Sequence, residues 1–192
     1  MNESELANRL RELPLIEPLP EDAKARVADV FLRVSKTMTY ADGDSLINER
    51  ALGGQDGYVL LEGEVVINKE ANAPVVVAAL ALLGEMLQFN PRAQRTATVR
   101  ALGRATAFKF PWQEFYAQAK QCLSETEQGL LLESIERIVW ERFGRETTID
   151  LALFNGLPDL LKLSACLALH WIVQHLTLTD GDSLFAQDDF CG

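Results

Sequence analysis

Between Thr39 and Phe110 the chain is a succession of short β-like runs separated by turn residues, and this texture most narrows the folds open to it. Asp42 to Ile47 opens with an Asp-Gly turn signal. Tyr58 to Ile67 reads as two strand-like runs around Gly63, and Pro74 to Leu83 is a third after the polar turn Asn68 to Asn72. Thr96 to Leu102 alternates apolar and polar positions, and Ala105 to Phe110 completes the set. Many short strands at regular spacing bury one face only by curling onto one another, which implies a sandwich, roll or barrel.

Helical periodicity flanks this block. Leu6, Leu10 and Leu13 share a face in Glu3 to Leu13, as do Ala28, Phe31 and Val34 in Glu21 to Thr37, with Pro14, Pro18 and Pro20 between. Helix returns at Trp112 to Ala119 and at Ser124 to Phe143. There Ser124 and Glu127 have capping-box spacing, Leu131, Ile135, Ile138, Val139 and Arg142 step along helical spacing, and Gly144 is a stop. The fold class is mainly β with flanking helices.

The tail repeats the head. With one constant offset, Leu15 to Glu21 (LIEPLPE) aligns with Leu153 to Asp159 (LFNGLPD), and Thr39 to Leu46 (TYADGDSL) with Thr177 to Leu184 (TLTDGDSL). Gly54 falls on Gly192 in the same register. The chain therefore divides into an N-terminal helical segment, 1–20, a roll domain, 15–143, and the opening of a second, incomplete repeat, 144–192.

One stretch carries candidate chemistry, Leu83 to Ala101 (LGEMLQFNPRAQRTATVRA). Gly84 lets backbone approach a ligand with no Cβ in the way. A short helix after it would present backbone N–H groups at Met86 and Leu87 to an anion. Glu85 suits a hydroxyl pair and repels bare phosphate, so it belongs beside a sugar. Arg95 offers a planar fork for two phosphate oxygens, Thr96 adds a hydroxyl donor, and the small Ala97 follows. An acid for ribose and a guanidinium for phosphate describe a nucleotide whose sugar and phosphate lie close together.

In this order of elements, with Gly63, Gly84-Glu85 and Arg95-Thr96-Ala97-Thr98-Val99 in place, the chain resembles the cyclic nucleotide-binding domain family. That family includes the regulatory subunits of cyclic-nucleotide-dependent kinases and the bacterial catabolite activator protein. The resemblance covers Leu15 to about Phe143 and implies a β-roll of the double-stranded β-helix (jelly-roll) type, with N-terminal helices and a long C-terminal helix. It implies that Glu85 holds the ribose 2′-hydroxyl and Arg95 the cyclic phosphate of cAMP or cGMP. It further implies that the 124–143 helix closes the pocket, with Trp140 or Phe143 stacked on the base. Against the family pattern, Leu83 replaces a Phe, Leu87 a small residue and Gln88 a core Leu. The implied function is a sensor that passes ligand binding through its C-terminal helix to an effector domain or protein, and homodimerisation through 124–143 fits the same plan. A ligand-free assembly module is the alternative.

The totals set limits. A net charge of −10 opposes a nucleic-acid surface, where clustered Lys and Arg are needed. The longest apolar run, Val75 to Leu83, is too short to span a bilayer, and the acidic N-terminus is no signal peptide. Cys122, Cys166 and Cys191, odd in number and widely spaced, read as reduced thiols in the cytoplasm. His170 and His175 are poorly spaced for a shared metal, and the scarcity of histidine opposes a metal-dependent cupin enzyme. No nucleophile or Walker pattern occurs, so neither catalysis nor a bound cofactor is expected.

Overall fold

The computed structural model describes residues 3–49, 51, 55–69, 73–88 and 95–144. All of them lie in the first of the two units into which the chain divides, Met1–Thr147 and Thr148–Gly192. The sequence repeat beyond residue 144 lies outside the described residues.

Two long strands form the frame. β3 (Asp56–Asn68) and β6 (Thr98–Pro111) pair antiparallel from Asp56↔Pro111 to Asn68↔Thr98. β1 (Lys36–Tyr40) and β2 (Ser45–Ile47) add to β6, while β4 (Val75–Ala78) and β5 (Ala81–Leu83) add to β3. The register shifts between Leu60 and Glu64, where the sheet bends. Gly63 stands at the bend with φ +82°, and a Cβ there would fall 2.3 Å from the Arg104 carbonyl oxygen. Only glycine combines that backbone with that approach.

Local propensities yield to this frame at four places. The helical run from Glu21 stops at Val34 rather than Thr37, because Ser35 is extended and Lys36–Tyr40 pairs with Ala105–Lys109. The single run expected over Pro74 to Leu83 splits into β4 and β5 at Leu80, whose φ of 65° turns the chain while its N–H donates to the Leu60 carbonyl at 2.8 Å. Conversely, the two runs around Gly63 are one strand, β3, and Thr98 to Pro111 is continuous through Gly103.

The roll interior is filled by Leu46, Ile47, Tyr58, Leu60, Val65, Leu83 and Val99, with small Ala101, Ala105 and Ala107 where strands approach closely. Of the helices, α2 (Glu21–Val34) and α3 (Trp112–Cys122) contact β6, α1 (Glu3–Arg11) packs on α2, and α4 (Glu125–Gly144) meets α3 and the Glu85–Gln88 segment. Aromatic rings join them: Phe31 stacks on Phe115 at 4.5 Å between centroids, and Phe110 meets Phe31 and Trp112 edge-on at 5.1 and 4.9 Å.

α4 begins with the capping box. Glu127 takes the Ser124 N–H at 2.8 Å, and the Glu127 N–H donates to the Ser124 hydroxyl at 3.4 Å. The other Glu127 oxygen accepts from Arg26 of α2 at 2.6 Å. Leu131, Ile135 and Val139 are buried along one α4 face, and Ser134 donates to the Pro14 carbonyl. No helix among the described residues is long and apolar enough to cross a membrane.

Replacing Gly63 with Ala should destabilise the fold by about 2–3 kcal/mol, since the φ penalty and the clash with Arg104 add. Urea unfolding followed by tryptophan fluorescence reads this directly.

Candidate functional site

β5 ends at Leu83, and Gly84, with φ +81°, turns the chain into a short 3-10 helix, Glu85–Gln88. A Cβ on Gly84 would lie 2.7 Å from Nη1 of Arg95 and 3.3 Å from the Asp56 carbonyl oxygen. The glycine is thus required twice, for the turn and for the guanidinium that lies against it.

A cleft partly open to solvent lies here. All of Gly84, Glu85, Met86, Leu87, Arg95, Thr96 and Ala97 line it, so the fold brings together the residues the sequence singled out. Ile47, Ile67 and Val99 supply apolar wall, and Arg142 reaches in from α4.

The polar side chains are deeply placed, Glu85 1% and Arg95 8% exposed. β5 pairs with β3 only over Tyr58–Leu60 and does not reach Asp56. Arg95 takes that place, donating from Nη2 to the Asp56 carbonyl at 2.7 Å and from Nη1 to the Gly84 carbonyl at 3.4 Å. Burial pulls its pKa below the ordinary guanidinium value, opposed by Tyr58, Asp56 and Glu85.

Glu85 is paired with Arg142, whose Nη1 donates to Oε1. The Arg142 Nη2 donates to the Leu82 carbonyl at 2.6 Å. The second carboxylate oxygen of Glu85, Oε2, is buried with no hydrogen-bond partner among the described residues. Sequence reasoning placed Arg142 on the helix face with Leu131 and Ile135 but missed this role. Helical spacing reports which face a residue occupies, not its partner 57 positions away.

Of the two aromatic residues expected to cap a base, Trp140 is half-buried on α4, and the Phe143 side chain lies outside the described residues. Among the described residues, α4 contributes Arg142 rather than an aromatic ring to the cleft. No group of three or more His, Cys, Asp or Glu among the described residues could hold a metal ion.

Residues 37–122 match the family model described as the cyclic nucleotide-binding domain. A comparison with curated proteins finds no match. Solved structures share the fold. The regulatory domain of Toxoplasma gondii PKA, crystallised with cAMP, is 19% identical with a TM-score of 0.54, over 74% of this chain and 50% of that one. This chain thus spans half the length of that regulatory domain. The N-terminal domain of a transcriptional regulator from Streptomyces coelicolor is 24% identical, TM-score 0.54, over 74% of this chain and 96% of that one. The sensor domain of the transcriptional regulator DNR from Pseudomonas aeruginosa is 18% identical, TM-score 0.56, over 77% and 98%. The antiparallel sheet with flanking helices is therefore the β-roll of cyclic nucleotide-binding domains.

Arg142→Met leaves the Glu85 carboxylate buried without its cation and should cost about 3–5 kcal/mol of stability. The double variant Glu85→Gln/Arg142→Met should recover part of that loss. Denaturant midpoints of the three proteins test this, and equal additivity would deny the pairing.

Proposed function

We propose that the roll is a non-catalytic, cytoplasmic regulatory module that binds a cyclic nucleotide, cAMP or cGMP, in the cleft between Glu85 and Arg95. The observation that carries this reading is Glu85, a buried residue lining the cleft, whose carboxylate oxygen Oε2 has no donor among the described residues. Such an oxygen costs about 1–3 kcal/mol unless a donor reaches it, and a ribose hydroxyl is a donor of the right size. The cyclic phosphate then lies toward Arg95, whose guanidinium carries five N–H donors, with the Thr96 hydroxyl beside it. The match of residues 37–122 to the cyclic nucleotide-binding domain supports the same assignment.

Coupling runs through α4. Arg142 joins its last turn to Glu85 and to Leu82 at once, so a ligand that engages Glu85 changes the balance of bonds holding the helix. An effector domain or protein reads that change as a population shift. The partly exposed Leu132 on α4 offers one contact for homodimerisation through the 124–143 helix.

Three observations favour a ligand-free assembly module instead. Arg95 already rests on two carbonyls, Glu85 Oε1 already has a cation, and Leu87 occupies a wall where a small residue would leave more room.

Calorimetric titration of the full chain with cAMP, cGMP and AMP separates the two. Binding of a cyclic nucleotide, weakened by Arg95→Ala by roughly 1.5–3 kcal/mol, or about tenfold to a hundredfold, supports the sensor. Absence of binding at millimolar nucleotide leaves the assembly module. Binding unchanged in the variant would remove Arg95 from the site.

A further inference from the structure

The outer face of the β3–β6 ladder differs on the two sides of its register shift. Toward Pro111 it is covered, and there Phe110 packs on Phe31 of α2. Toward Thr98 the side chains alternate: Val65, Ile67, Val77, Val99 and Ala101 turn into the roll, and the residues between them turn out. Two of the outward residues are large and apolar, Val76 at 54% exposed and Leu102 at 46%.

The ladder fixes how the outward residues are laid out. Val66 stands between Arg100 and Val76, and Glu64 stands between Leu102 and Ala78. Two rows therefore cross β6, β3 and β4, an apolar surface that carries one base and one acid. Arg100 and Glu64 are both exposed, and neither side chain has an ion-pair partner among the described residues. Apolar side chains grouped on neighbouring strands, unlike ones scattered singly, mark a contact surface.

The charges decide what that surface meets. Arg100 and Glu64 lie on a diagonal, one strand apart and two residues along, or about 5 Å by about 7 Å. A two-fold axis in the plane of contact, crossing that diagonal, carries Arg100 onto Glu64 and Glu64 onto Arg100. The same axis returns Leu102 close to Leu102 and Val66 close to Val66. Two such faces stacked about 10 Å apart form two ion pairs around a shared apolar centre. A partner of one charge sign would instead set a like charge against one of the two groups. The face is complementary to itself, as a two-fold contact requires.

We propose that this open face is a self-association surface, on which a second copy of the chain docks with Arg100 of each copy against Glu64 of the other. Its few residues fall short of the roughly 20–30 a side of a standard interface, so the dimer is transient and grows with concentration. It needs no nucleotide and makes no use of the 124–143 helix.

Sedimentation velocity of the full chain, from about 10 μM to about 1 mM, should show the native protein passing from monomer toward dimer. By symmetry each single reversal, Arg100→Glu or Glu64→Arg, sets two like-charge contacts in the dimer and should weaken association at least about tenfold. Both positions are exposed, so circular dichroism should show each variant folded. The double variant Arg100→Glu/Glu64→Arg should associate again. An equimolar mixture of the two single variants should also associate, although neither does so alone. A native chain that stays monomeric throughout the range overturns the proposal, as does a mixture that fails to associate. Association that survives both reversals but is lost in Leu132→Asp places the contact on α4 and overturns it too.

Discussion

The β3–β6 ladder is the constraint on which the rest of this structure depends. Every other strand among the described residues is attached to one of its two members, and the register shifts between Leu60 and Glu64. Val59, Leu60, Leu61 and Val65 are fully buried on β3, at about 1.5–3 kcal/mol each, whereas each ladder hydrogen bond nets about 1 kcal/mol. The cost of the arrangement is concentrated at the ends. There β5 runs out before β3 does, and the carbonyl left over at Asp56 is met by a side chain, Arg95.

A buried guanidinium and a buried carboxylate in one small cleft are each unfavourable alone, and their neighbours decide what the cleft can do. Arg95 donates to the Asp56 and Gly84 carbonyls, which help to fix its direction. Glu85 is neutralised by Arg142, but through one oxygen only. Removing a buried charge's partner costs about 3–5 kcal/mol, while a hydroxyl donating to a carboxylate returns about 1.5–3 kcal/mol. A neutral hydroxyl is therefore too weak to evict Arg142.

What the sequence disclosed follows from which interactions are local. The capping box of Ser124 and Glu127 spans three residues, and the turn at Gly84 is a property of one residue; both could be read directly and both are present. The strand texture announced the roll. The boundaries did not follow, because Lys36 to Tyr40 becomes a strand only through its pairing with β6, and Pro74 to Leu83 divides only where Leu80 turns. At the cleft, Glu85 and Arg95 were legible because their chemistry and spacing resemble a known cassette. Arg142 and the Asp56 carbonyl were not. One is a charge on a helix whose other face is apolar, and the other is a main-chain oxygen that every residue possesses.

The segment matching the cyclic nucleotide-binding domain ends at residue 122, yet the charge that balances Glu85 is at residue 142. Everything the strands require is present before α4 begins, but the electrostatics of the cleft are not complete without it. The uncompensated Glu85, at about 3–5 kcal/mol, is a large part of the 5–15 kcal/mol by which a domain is usually stable. The buried Leu131, Ile135 and Val139 add apolar surface to the same dependence. α4 is thus a structural member of the site rather than an attachment to it, and its last turn is the place where the chemistry of the cleft and the position of the helix are joined.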